Sequence, residues 1–334
     1  MTRALCLGTA LVAVSACSAL QGQGTPITVS IPAGGSTVRV PIALDAPEDS
    51  ELAPGSLAWE VAWALKSDRN VEETQPGDGA RTPHELAEHA AYAVGGVFID
   101  VALRRDLADA ALRRERGIES FKTTDVVPAV REGNANAADV PLSDASIHQA
   151  RAARIRAEQD LADASDRYLR VNRHEFGPHV PFVPLPVGEK EAEVARGKNA
   201  LTTIVRPADF AFSAFRIREA WNMHDSVVRQ RAEAEAALKS LMDVERHYRE
   251  QYRLGYRSAA DVIHAIDAAF AAEAAAISAR YAEQHASIRL YAAQGRLVEA
   301  LGAARFVEMR ADEQSLPPKQ TVPMVRDGVG RDTL

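Results

Sequence analysis

The stretch Tyr252-Arg-Leu-Gly-Tyr-Arg-Ser-Ala-Ala-Asp-Val-Ile-His264 decides the fold, because it interrupts a long helical pattern and the chain contains it twice. The earlier copy is Gly133-Asn-Ala-Asn-Ala-Ala-Asp139-Val140. In both, a Gly is followed six residues later by Asp-Val with Ala-Ala just before the Asp; Arg131 precedes Gly133 as Arg253 precedes Gly255, at an offset of 122 residues. Ala-rich segments with helical periodicity flank each copy. A Gly at a helix end supplies positive φ, and an Asp shortly afterwards suits the first turn of the next helix. Each copy therefore reads as the bend between two long antiparallel helices, and the pair as one duplicated unit.

Composition agrees with an all-α chain. With 46% hydrophobic and 25% charged residues over 334 positions it is too apolar for disorder, yet at 6% aromatic it lacks the large side chains of a globular core. Ala takes their place, and Ala-rich helices pack into narrow seams. A net charge of -7 gives no attraction to nucleic acid. There is no Gly-rich phosphate loop, no nucleophile elbow and no convergent carboxylate pair, so neither an enzyme nor a cofactor-binding protein is expected.

The first residues read as an address. Arg3 precedes an apolar run from Ala4 to Val14, which ends in Val14-Ser15-Ala16-Cys17, a small-residue cleavage site resembling the bacterial lipobox. Residues 1–16 would then be a lipoprotein signal peptide and Cys17 the diacylated first residue of the mature chain, with Ser18 favouring delivery to the outer membrane. An ordinary signal peptide with a chance Cys is the alternative. No other apolar run approaches the roughly 20 residues of a spanning helix. Residues 17–50 form a Gly-, Pro- and Ser-rich tether in which 27–31 and 37–42 alternate as a small β hairpin.

Along the body, Leu57 to Asn70 predicts a short helix with Trp59 and Trp63 four apart. Thr82-Pro83-His84-Glu85 predicts a helix start, and that helix should run to about Arg131, bent near Gly95-Gly96 or loosened near Gly117. Its partner begins near Pro141 and ends near Asn172, completing a first repeat over 51–175. The Pro-rich segment from Phe176 to Pro186 cannot be helical; with a short helix from Glu189 to Ala200 it makes a linker over 176–205. The second repeat, 206–310, contains Phe210 to Arg253, roughly 65 Å of helix at 1.5 Å per residue, and Ala259 to about Arg305, roughly 70 Å. In the latter Ile263, Phe270, Ile277, Tyr291 and Val298 fall on one seven-residue series, broken only by Gln284, as in a coiled-coil seam. Residues 311–334 read as a disordered tail.

The duplicated hairpins, the lipobox, Leu57-Ala-Trp-Glu-Val-Ala-Trp-Ala-Leu65, Arg206-Pro207-Ala-Asp209 and Tyr252-x-x-Gly255-x-Arg257-x-x-x-Asp261-Val262 resemble the TolC family of trimeric outer-membrane efflux and secretion channels. The resemblance implies an α-barrel protomer that works as a homotrimer with a periplasmic adaptor protein and an inner-membrane transporter. It implies that Gly133, Leu254, Gly255 and Tyr256 form the tip that meets the adaptor. Tyr252 and Arg257 would be gating links to neighbouring groups including Asp139. Asp261 would line the constriction, where His264 replaces a second carboxylate found in some members. The chain departs from the family between Asn70 and Pro83 and between Asp209 and Ala214, where there is no room for the inserted barrel strands.

Bland readings stand beside these. Asp139 and Asp261 suit plain helix starts, and Tyr252 and Tyr256 suit packing at a helix end. His174 and His179 in the linker read as solvated loop histidines, and His247 and His264 would share a metal only if the hairpin brought them together. On the anchor, Cys17→Ala is expected to abolish lipidation and release the protein from outer-membrane fractions. Sedimentation of that variant with the membrane after a salt wash would show that the lipid is not the anchor.

Overall fold

The computed structural model describes residues 52, 55–66, 83–177, 185–188 and 207–307, with backbone alone at 83 and 207–214. All of them lie in the unit Ser50–Leu334, separate from Met1–Asp49. Cys17, the expected β hairpin, the helix expected at 189–200, His179 and the tail fall outside the described residues.

Every regular element among the described residues is helical. In order they are α1 (Leu57–Lys66), α2 (Pro83–Phe121), a π-helical stretch (Lys122–Val126), α3 (Val127–Arg131), α4 (Asp139–Asn172), α5 (Pro207–Arg253), α6 (Ala259–Ala293) and the short α7 (Leu297–Ala300). The π stretch and α3 continue α2, so α2 with α4 makes one hairpin and α5 with α6 the other. Within the hairpins α4 packs on α2 and α5 on α6; between them α2 packs on α6, and α1 covers the start of α2. Side by side the long helices therefore run α4, α2, α6, α5. The inner two are flanked on both sides and the outer two form edges.

The inner helices carry the apolar seam that the sequence pattern promised. Ile263, Ile277 and Tyr291 are buried and Phe270 is partly buried; Gln284, the break in the series, is buried too. Small residues let the backbones approach: Ala102, Ala110 and Ala111 on α2 and Ala265, Ala269, Ala272 and Ala276 on α6 are all buried. Polar pairs rim the seam. Arg113 Nη2 lies 2.7 Å from Glu273, Arg114 Nε lies 2.8 Å from Asp267, and the Tyr281 hydroxyl donates to Asp106 at 2.8 Å.

Several boundaries differ from the sequence expectation, each for a local reason. α2 passes Gly95-Gly96 and Gly117 unbroken, and the irregularity falls instead at Lys122–Val126, just ahead of Pro128. A proline cannot donate to the carbonyl four residues back and its ring crowds that carbonyl, so widening to the π form removes the conflict. Thr123 and Thr124 donate to the backbone carbonyls of Glu119 and Ser120 at 2.9 and 2.8 Å, occupying acceptors that the widened turn frees. α4 begins at Asp139 rather than Pro141, and α5 is already helical at Pro207. α6 stops at Ala293, not near Arg305, because Gly295 takes φ +65° and ends it before α7. Two helices, His84–Arg131 and α6, are long and apolar enough by composition to span a bilayer. Much of that apolar surface is the seam itself: Ala90, Ala91, Val94, Phe98 and Val101 are buried against other helices.

At the far end from the turns, Glu88 of α2 is buried and caps α7. Its two carboxylate oxygens accept the backbone N–H groups of Leu297 and Val298 at 2.9 and 3.0 Å. A free helix N-terminus buried without partners is costly, and a side chain from another helix removes that cost here. Burial nevertheless outweighs these bonds and raises the Glu88 pKa. Glu88→Ala leaves both amides unpaired and is expected to lower stability by about 1–3 kcal/mol. Denaturant titration checks this; Glu88→Gln, which keeps one acceptor oxygen, should fall between the two, and a loss in the alanine variant below a few tenths would show that the cap contributes little.

Candidate functional site: the paired helical tips

Both copies of the repeated turn end their first helix in the same way. Gly133 N–H bonds to Val130 O at 3.1 Å and Asn134 N–H to Ala129 O at 2.8 Å; Gly255 N–H bonds to Tyr252 O at 2.9 Å and Tyr256 N–H to Gln251 O at 2.9 Å. This crossed pair of bonds requires a left-handed residue between them. Gly133 and Gly255 supply it at φ +77° and +76°. The 122-residue repeat is thus a repeat of backbone geometry down to individual hydrogen bonds.

The copies part company where the next helix starts. In the second, Ser258 is the N-cap of α6 and forms a reciprocal box with Asp261: Asp261 N–H donates to Ser258 Oγ at 3.2 Å and Ser258 N–H to Asp261 Oδ2 at 3.1 Å. The Ser258 hydroxyl also donates to Oδ2 at 2.9 Å. These bonds, the backbone one foremost, hold the Asp261 carboxyl below its ordinary pKa. In the first copy Asn136 stands where Ser258 does, and its side chain accepts from Ala138 N–H at 2.9 Å. α4 then starts without a side-chain bond at its cap, and the Asp139 carboxylate faces Tyr252 across the hairpins.

Tyr252 is buried among Phe121, Val126, Ile147, Val262 and Ile263 in a small apolar core that ties the two tips together. Its ring meets Phe121 edge-on, with centroids 5.1 Å apart. The hydroxyl lies near Asp139 without closing a hydrogen bond of ordinary geometry. Burial first, and the negative charge of Asp139 second, push its pKa up to about 12. Of the residues expected as links, Tyr252 and Asp139 are therefore brought together. Arg257 is not: its Nε donates to Gln251 at 3.0 Å and its guanidinium lies 4.2 Å from the Tyr248 ring centroid, all within its own hairpin.

The charged tie between the two tips is one the sequence reading missed. Arg253 Nε donates to Asp125 Oδ1 at 2.6 Å, and the Asp125 side chain is only 3% exposed against 61% for Arg253. Asp125 belongs to the π-helical stretch, which places it beneath the second tip, and its other oxygen lies 3.0 Å from the Thr124 hydroxyl, whose one proton it shares with Ser120 O. The available signal was Thr123-Thr-Asp-Val-Val-Pro128, a β-branched run ahead of a proline. Asp125, Arg253, Tyr252, Glu132 and Asn134 line a cleft of about 590 Å³ between the turns. Beyond it Leu254 and Tyr256 stand 69% and 78% exposed. His264 is exposed, and among the described residues no three His, Cys, Asp or Glu side chains come together to hold a metal.

The Asp125–Arg253 pair makes a measurable claim. Arg253→Ala strands a buried carboxylate, which is costlier than losing both charges. Thermal unfolding of Arg253→Ala, Asp125→Ala and the double variant should show the double losing less than the two singles combined. Strict additivity would mean that the pair contributes nothing to joining the tips.

No family model matches the chain, and no curated protein matches its sequence. Solved structures do match its fold. CusC, described for the changes accompanying its folding and transmembrane channel formation, superposes with a TM-score of 0.52 at 14% identity, over 71% of this chain and 73% of its own. The outer-membrane channel OprN gives a TM-score of 0.52 at 11% identity over 72% and 71%. The outer membrane protein VceC from Vibrio cholerae gives 0.51 at 8% identity over 74% of each. At these identities the likeness is one of fold, and the chain has the TolC-like fold of an α-helical barrel protomer that the resemblance implied.

Proposed function

We propose that this chain is the tunnel-forming protomer of an outer-membrane export system, anchored through a lipid on Cys17 with its body in the periplasm. It acts as a homotrimer joined at its tips by a periplasmic adaptor protein that links it to an inner-membrane transporter. One observation carries the reading. Among the described residues the exposed large hydrophobic side chains are Leu142, Ile155 and Leu169 on α4, Phe215, Met223, Val228, Met242 and Val244 on α5, and Leu254 and Tyr256 at the second tip. None is on α2 or α6. Apolar groups thus gather on the two edges of the helix array and at its tip, where a single chain has no partner for them. An α4 edge set against the α5 edge of a second copy is a heterologous contact, which forms a ring where its rotation closes. Channel proteins of the same fold, CusC and OprN among them, support the export role.

In this assembly Leu254, Gly255, Tyr256 and Gly133 meet the adaptor, and Tyr252 with Asp139 holds the tip closed. Arg257 is left to reach a neighbouring protomer. Asp261 keeps one oxygen, Oδ1, outside its capping box, so three copies beside three His264 rings form the constriction.

A second reading is favoured by the backbone at one place. α5 is helical from Pro207 onward, through the positions where a second pair of barrel strands would enter, and only residues 67–82 separate α1 from α2. A membrane strand takes about 9–11 residues, so two do not fit there. On this reading the chain is a periplasmic scaffold or spacer that kept the hairpins of a channel ancestor.

Ile155 and Met242, each 54% exposed, separate edge-to-edge assembly from a solitary bundle. Native mass measurement of the detergent-extracted protein should give a trimer. Ile155→Glu and Met242→Glu should shift it to monomer with unchanged helix content, because neither side chain is buried within one chain. A wild-type monomer, or trimers in both variants, would defeat the tunnel assembly; a trimer that conducts no ions in planar bilayers would select the spacer.

A further inference from the structure

Away from the tips, one cluster of buried titratable and aromatic groups has no part in the tunnel reading. We propose that His174, held as an imidazolium between Glu60 and the rings of Trp59, Trp63 and Tyr168, is a proton-operated latch that fastens α1 to the end of α4.

The sequence marks His174 as a solvated loop residue, and the structure corrects that. Its side chain is only 16% exposed and its Nε2 lies 2.8 Å from Oε2 of Glu60, which is itself 2% exposed. The pair is out of line for an ordinary N–H to oxygen bond and acts as an ion pair. Its Nδ1 lies 3.1 Å from the carbonyl oxygen of Glu175. Both ring nitrogens therefore face oxygens that only accept. A neutral imidazole has one N–H and one lone pair; with its N–H on the Glu175 carbonyl, Nε2 would bring a lone pair against the Glu60 carboxylate, whereas the imidazolium sets positive charge there. The surroundings suit the ring. Trp59, Trp63 and Tyr168 stand at 77°, 87° and 86° to the imidazole, with centroids 5.6, 5.9 and 5.7 Å away. Near-perpendicular packing of an imidazole among aromatic rings at these distances is a favoured arrangement.

Three helices furnish the groups around this ring. α1 contributes Glu60 and the stacked Trp pair, 5.6 Å apart. α4 contributes Tyr168 and Asn172; Asn172 Nδ2 is 3.5 Å from Glu60, while Tyr168 Oη and Asn172 Oδ1 are buried with no bond. α2 contributes Phe98 against Phe176, and Arg105 lies over Phe176, two residues beyond the histidine. Arg173 takes φ +61° immediately before His174, a conformation that a non-glycine residue adopts under constraint. Held in that conformation, the chain turns the imidazole back onto α1.

Burial alone would lower the His174 pKa, but the Glu60 carboxylate outweighs it and the net shift is upward. A raised folded-state value means that the latch contributes fully below the unfolded value of about 6.5 and is lost as pH rises through the folded one. Deprotonation leaves the buried Glu60 carboxylate with only neutral neighbours, the imidazole, the Asn172 amide at 3.5 Å and the Tyr168 hydroxyl, and none replaces the lost cation, so α1 loosens from the hairpin.

The test uses the full-length protein. The Cε1 proton of His174, assigned by its absence in His174→Gln, is titrated by NMR. Trp221→Phe leaves Trp59 and Trp63 as the emitting pair, since the chain has three tryptophans. The expected midpoint is above about 6.5, dropping to or below it in Glu60→Gln, with Trp emission shifting to the red as pH rises through the wild-type midpoint. His174→Gln should show that red-shifted emission already at low pH, with helix content retained. A wild-type midpoint at or below the ordinary value, or emission that stays constant while the ring titrates, would overturn the latch. Both readouts come from unmutated positions of the cluster, so they decide the matter even where Glu60→Gln does not fold.

Discussion

The contact between α2 and α6 is the constraint on which the rest depends. The two helices run antiparallel, and small residues on one meet large ones on the other: a Cβ added to Gly95 would come within 2.9 Å of Ile288 Cδ1, and one on Gly117 within 3.9 Å of Ile266 Cγ2. Close approach of this kind admits few registers, because sliding one helix along the other sets large side chains against large. Asp106 with Tyr281, Arg113 with Glu273 and Arg114 with Asp267 then fall opposite one another along the same line. Only in this register do the two turns arrive side by side, so that Tyr252 reaches Asp139 and Arg253 reaches Asp125.

What the sequence disclosed and what it withheld follow from the range of the interactions involved. The hairpins were legible because their determinants are local: a positive-φ glycine and an Asp at fixed spacing, written twice. The seven-residue series on α6 was legible because burial on a helix is periodic. The π-helical stretch was not, since Thr123-Thr-Asp-Val-Val-Pro128 is compatible with a plain helix end, and only the packing of Asp125 under the second tip reveals the wider turn. The end of α6 at Ala293 was overrun because apolar periodicity continues through Leu297 and Val298, which are indeed buried, but on a separate short helix capped by Glu88 from over 200 residues away. His174 was misjudged for the same reason: its polar linker surroundings are local, whereas Glu60 and the Trp pair that bury it are over 110 positions distant.

Duplication followed by divergence explains the chemistry at the tips. Asn136-x-x-Asp139 and Ser258-x-x-Asp261 have the same spacing and the same place in the fold. In the second, a serine hydroxyl allows both partners to satisfy each other, and Asp261 is held ionised by its own helix start. In the first, the Asn136 amide serves the backbone of Ala138, which leaves Asp139 turned toward the other hairpin and the buried Tyr252. One ancestral acidic position has thus become a self-contained cap in one copy and half of a cross-hairpin contact in the other.

Opening of the tips in the proposed tunnel would act on two contacts of different kinds. Tyr252 is held mainly by apolar packing against Phe121 and by burial, with Asp139 near its hydroxyl, whereas Arg253 makes a charged contact at an exposed guanidinium over a buried carboxylate. Parting the hairpins exposes the Tyr252 ring to water, a cost proportional to area and insensitive to salt. Separating Arg253 from Asp125 leaves Asp125 with Thr124 alone unless water enters the cleft of about 590 Å³ beside it. The cleft is therefore more than a gap between two turns. It gives solvent a route to a buried charge that would otherwise hold the tips together, so entry of water lowers the cost of parting Arg253 from Asp125.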